Sequence, residues 1–166
     1  MKEEQLKENM EKFISMASEA KICMMITLEK DATHPAGRPM AMNEIEEDGS
    51  IWFFTRESYH LTDEIEEDKN ISLAIISEPK DTYLMINGKA RLSDDRHKME
   101  ELWKPMLKAW FPDGLDDPDM KLIKVTPTEV NYWDTNTNKM VQLLDMAKSV
   151  VQAKQYHPGE RGKMTN

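Results

Sequence analysis

Between Lys2 and Ala20, apolar residues fall at Leu6, Met10, Phe13, Ile14 and Ala17, the three-and-four spacing that gives a charged helix one apolar stripe. The spacing predicts a helix over 2–20 that caps a core. From Lys21 to Leu28 the chain is apolar and β-branched without helical gaps, which predicts a strand buried on both faces or nearly so. A loop at 31–37, carrying Pro35 and Gly37, leads into an extended stretch over 38–46. Asp48-Gly49 tolerates the positive φ of a tight hairpin turn, and Ser50 to Thr55, with Ile51, Trp52, Phe53 and Phe54, reads as the returning strand.

Leu61, Ile65 and their acidic neighbours predict about two turns of helix ending near Asp68 to Asn70. Ile71 to Ile76 follows as a strand, and after a turn at Pro79 to Asp81 a longer one covers Thr82 to Leu92, where Gly88 marks a bulge or bend. Asp94 or Asp95 can cap a helix bearing Met99, Leu102, Trp103, Met106 and Leu107, kinked or divided by Pro105. Leu122 to Val125 and Val130 to Trp133 give a last strand pair or one bent strand, and Leu143, Leu144, Ala147, Val150 and Val151 predict a C-terminal helix over about 140–153. Many strands separated by turns, with helices inserted singly, favour an antiparallel sheet or barrel, mainly β, over a doubly wound parallel one. No internal repeat or composition break divides the 166 residues, so one domain over 1–166 is expected.

Composition narrows the function classes. A formal net charge of −9, with Lys and Arg scattered among acids, argues against nucleic acid as partner; it does not exclude a small phosphate, which needs only local donors. The single cysteine, Cys23, lies in an apolar run and reads as a buried thiol. A charged N-terminus and the lack of a long apolar stretch predict neither signal peptide nor membrane anchor, and a reducing, cytoplasmic setting is expected.

His34, His60, His97 and His157 are far apart in sequence and predict no metal site. The acidic run Asp113, Asp116, Asp117 and Asp119 lacks the alternation and terminal glutamate of a calcium loop and reads as a capped turn. With only 6 glycines and no cluster of them, phosphate-binding glycine loops are excluded. No nucleophilic triad has a candidate. What remains is the aromatic hairpin from Gly37-Arg38-Pro39-Met40 through Asp48-Gly49 to Ile51-Trp52-Phe53-Phe54-Thr55; by pattern alone it favours core packing over a ligand wall.

Those residues, with the following Asp63-Glu64-Ile65, resemble the pyridoxamine 5′-phosphate oxidase-related flavin-binding proteins. The general stress protein 26 branch is closer still, through Asn87-Gly88-Lys89-Ala90, Glu101-Leu102-Trp103-Lys104-Pro105, Trp110-Phe111-Pro112-Asp113-Gly114, Asp116-Asp117-Pro118 and Tyr132-Trp133-Asp134. The resemblance runs in order from Gly37 to Asp134. It implies a split β-barrel, a homodimer with the cofactor pocket at its interface, and flavin mononucleotide (FMN) as cofactor. Arg38, Pro39 and Met40 would then line one edge of the ring and phosphate site, Phe54 and Thr55 the adjacent strand, and Trp133 a further wall.

One position departs from the family. Where related chains carry a serine and then a lysine for the phosphate, this one has Tyr59, His60 and Leu61. Loss of such a contact costs roughly 1.5 to 3 kcal/mol unless replaced. A protonated His60 can compensate in part, Ser58 or Thr62 can donate a hydrogen bond, and Leu61 can alternatively pack in the core one turn before Ile65. The function expected is an FMN-binding, flavin-dependent oxidoreductase of unassigned substrate, with no catalytic acid or base assigned. The alternative is a non-catalytic dimer whose flavin site has decayed or been adapted to another small ligand.

Overall fold

The computed structural model describes residues 2–29 and 31–146. Helix α1 (Lys2–Ala17) buries Met10, Phe13 and Ala17, the stripe its spacing predicts. Three strands follow, β1 (Ile22–Thr27), β2 (Ala36–Ala41) and β3 (Glu44–Ile45), then β4 (Ile51–Arg56), α2 (His60–Glu67), β5 (Asn70–Ser77) and β6 (Thr82–Ser93). Helix α3 (Arg96–Leu102), a short 3-10 turn over Pro105–Ala109, β7 (Met120–Asp134) and β8 (Lys139–Asp145) complete the described chain. The strands form one antiparallel sheet in the order β2-β1-β5-β6-β7-β4-β3, with β8 beside β7. It curls into the half-barrel of a split-barrel fold around Ile51, Phe53, Leu73, Ile75, Ile86, Val125 and Val130.

Two glycines shape this sheet. Gly49 has φ +84°, and a Cβ there would lie 2.9 Å from Met10 Sδ and 3.2 Å from the Phe13 ring, so the hairpin turn is also the floor on which α1 rests. At Gly88 a Cβ would meet the Thr126 carbonyl oxygen at 2.7 Å. Here the β6–β7 register slips, Asn87 facing Glu129 and Gly88 facing Pro127, with Thr128 as the extra residue. A bulge deepens the local twist and accommodates a proline without a ladder N–H. The twist lets the first half of β7 pair with β4 and the second half with β8.

Two expectations are corrected. Residues 139–145 are a strand rather than the start of a helix. A register slip sets Val130 against Leu144 and Asn131 against Gln142, so Leu143 is an extra residue and adjacent leucines both turn inward, which imitates helical spacing. The rest of the expected helix, 147–153, lies outside the described residues. Strand β1 is buried on one face only: Cys23 and Met25 are inside, while Ile22 and Met24 are exposed because no other part of the described chain covers the outer face. Burial pushes the Cys23 thiol up to about 12, as expected of an inert cysteine. Pro105 divides the helical stretch as predicted, and Asp95 caps α3 by accepting from the Lys98 N–H at 3.2 Å.

Candidate ligand cleft

The sheet is not closed between β2 and β4. Strand β2 ends the strand order, so no described strand pairs with its outer edge, and its backbone groups there are available to a ligand. A cleft of about 440 Å³ occupies this seam. Its β-strand walls are Ile22, Pro39, Met40, Ala41, Phe54, Thr55 and Arg56, and Asn43, Tyr59, Leu107, Trp110 and Phe111 complete it. Phe54 anchors the aromatic side, edge-on to Trp103 with ring centroids 6.2 Å apart and tilted against Phe111 at 6.0 Å. Ile22, Tyr59 and Trp110 stay exposed, so the cleft is open on one side.

Thr55 lies on the cleft, and its buried hydroxyl has no hydrogen-bond partner. Alternation turns that hydroxyl to the core side of β4 with Phe53, away from the face that carries Phe54 and Arg56. Asn43 donates one carboxamide N–H to the Leu102 carbonyl at 2.9 Å, leaving its second N–H and its oxygen as groups it can offer. Arg56 is the charged lining residue. Its Nη1 lies 3.0 Å from Asp117 Oδ2 and 3.5 Å from Asp119 Oδ2, and its Nη2 donates to the Trp110 carbonyl. The guanidinium also stacks 4.7 Å from the Phe111 centroid. Burial opposes its charge, but the two aspartates outweigh burial and raise its pKa.

Several expected site residues face elsewhere. Ser58 gives its hydroxyl to Asp119 Oδ2 at 2.6 Å and its N–H to Asp119 Oδ1 at 2.9 Å; chiefly the hydroxyl bond holds that carboxyl below its usual range. Arg38, which alternation along β2 turns to the side opposite Pro39, meets Glu64 Oε2 at 2.7 Å and donates to Thr27 Oγ1 at 3.3 Å. Burial pulls the Glu64 pKa up, but hydrogen bonds from Arg38 and Thr27 prevail and lower it. His60 is exposed and sits 2.7 Å from Glu29 Oε1.

Glu29, His60 and Glu64 bring possible ligand atoms within 4.8 Å of one another, a grouping invisible in their sequence spacing. Arg38 already neutralises Glu64, so the group reads as an ion-pair chain rather than a metal centre. Leu61 is 4% exposed in the main core with Ile65, its partner one turn on, so it does not face the cleft, contrary to its expected place beside a phosphate. Trp133 is half-buried on the far half of β7, opposite Met140, and is not part of the lining.

The cleft thus collects Pro39, Met40, Phe54 and Thr55 from the expected set and leaves Arg38, Ser58, His60, Leu61 and Trp133 outside its lining. Sequence reasoning missed Arg56, Tyr59, Asn43 and the Trp110-Phe111 pair. Alternation from Phe54 would have found Arg56, which lies on the same face of β4.

Residues 8–157 match the family described as pyridoxamine 5′-phosphate oxidase like. General stress protein 26 of Bacillus subtilis is 22% identical over 136 residues, 80% of this chain and 94% of that protein. A solved Clostridium acetobutylicum protein related to general stress protein 26 superposes with a TM-score of 0.71 at 22% identity, covering 86% of this chain and 97% of the other. The general stress FMN/FAD binding protein of Xanthomonas citri superposes at 0.64 with 26% identity, covering 79% and 89%. Among the described residues no helix is long and apolar enough to cross a membrane.

Proposed function

The chain belongs to the pyridoxamine 5′-phosphate oxidase-like family, and on that premise we propose that its seam cleft holds a flavin and that the protein is a flavin-dependent oxidoreductase. The observation that carries this reading is the open, aromatic-walled seam beside the unpaired edge of β2. A planar ring system suits such a slot: Phe54 and Trp110 cover apolar surface and exclude water, and the free edge of β2 offers the Pro39 carbonyl and the Ala41 backbone for hydrogen bonds. A bound flavin brings the electron-transfer chemistry, and the protein contributes placement and polarity. The resemblance of the Xanthomonas citri protein, described as FMN/FAD binding, supports the same ligand class.

The reading includes a homodimer. Ile22 and Pro39 belong both to the cleft and to the outer face of β1, β2 and β5, where Ile22, Met24 and Ile76 are exposed. A second copy laid on that face would bury the apolar surface and roof the cleft in one step. The absorption spectrum of the purified protein tests the cofactor: visible bands of one flavin per chain are expected, and a colourless protein that stays colourless with added flavin contradicts the proposal. Light scattering tests the assembly, with twice the chain mass expected.

A further inference from the structure

Charge at the seam is already balanced by the protein itself. Arg56, the one charged residue lining the cleft among the described residues, faces two carboxylates, Asp117 and Asp119, and the Trp110 carbonyl. A phosphate approaching it would compete with ligands already in place and meet two negative charges. Ser58, next to Tyr59 in the chain, spends both its hydroxyl and its N–H on Asp119. Arg38 is turned to Glu64 on the other side of β2. The remaining features of the slot suit an uncharged ring instead: its aromatic walls and the free edge of β2.

Resting on the flavin reading above, we infer that the cleft recognises the neutral heteroaromatic ring and gains little from a phosphate, so that riboflavin-class ligands satisfy it about as well as FMN. Specificity then comes from ring stacking and edge hydrogen bonds, with Asp117 and Asp119 as the residues that hold Arg56 back from the phosphate. A free charge-assisted contact ordinarily gives about tenfold to a hundredfold in affinity. Its absence predicts affinities for the two ligands within tenfold.

The full-length, flavin-free protein is titrated with FMN and with riboflavin, following the quenching of flavin fluorescence. Dissociation constants within tenfold of each other support the inference, and FMN binding more than tenfold tighter overturns it. Asp119→Asn keeps an oxygen for the Ser58 N–H but removes one charge from Arg56; it is expected to tighten FMN at least threefold and leave riboflavin unchanged. A folded variant that moves both ligands alike, or neither, refutes the role given to Asp119. Binding of neither flavin by the unaltered protein defeats the flavin reading itself and this inference with it, whereas a strong preference for FMN defeats only the inference.

Discussion

Ile75 and Ile76 are chemically identical neighbours on β5, yet one is 0% and the other 65% exposed. The same split runs along β1, where Cys23 and Met25 are buried and Ile22 and Met24 are open. Period-two alternation turns each strand's residues to opposite faces, and only the inner face is filled by α1 and α2. Apolar composition therefore does not decide burial here; what lies above each face does. The outer face continues into the seam cleft, so its exposure and the incompleteness of the ligand site have one origin in the proposed assembly.

The sharpest break of this comparison is Ile75→Ala, which leaves a cavity in the core and costs about 2–5 kcal/mol in urea unfolding. Ile76→Ala, measured in a Met24→Glu background that keeps copies apart, changes stability by less than about 0.5 kcal/mol. Equal losses at the two positions would remove the distinction between the faces.

Glu64→Ala comes next. It strands the Arg38 charge and costs about 2 kcal/mol, below the 3–5 of a fully buried pair because Arg38 keeps some contact with water. Because the Glu64 pKa is lowered in the folded chain, the pair's contribution is complete above the usual glutamate value of 4.5 and is lost as pH falls through the lower folded value. Glu64→Gln is thus expected to flatten the acid limb of the stability profile, as chemical unfolding at several pH values would reveal.

On the outer face, Met24→Glu is expected to cost the protomer under about 1 kcal/mol while halving the solution mass, since a charge is tolerated in water but not at an apolar interface. A variant that stays dimeric would place the interface elsewhere. A comparably small effect on stability belongs to Asp119→Ala, about 0.5–1 kcal/mol, through loss of its exposed bonds to Ser58 and Arg56.

Much of this fold is legible in sequence because its signals are local. The stripe Met10, Phe13 and Ala17 specifies α1, Asp48-Gly49 the hairpin, Gly88 the bulge and Pro105 the division after α3. The signals fail where register matters: Leu143 and Leu144 point the same way only because β8 slips against β7. They fail again at the cleft. Pro39, Met40, Phe54 and Thr55 follow from the hairpin, but the Arg56 pairs with Asp117 and Asp119 span more than sixty positions and no spacing announces them. Resemblance alone puts Arg38 and Leu61 at the ligand, whereas the partners that claim them, Glu64 and the core around Ile65, are set by how α2 packs against the sheet.

The central claim is that the seam between β2 and β4 is where the flavin ring lies. A crystal structure of the protein grown with riboflavin tests it most directly. The account predicts ring density between Pro39–Ala41 and Phe54–Arg56, with a hydrogen bond to the free backbone edge of β2. Ring density elsewhere on the chain, or a seam that stays empty at saturating riboflavin, would contradict it.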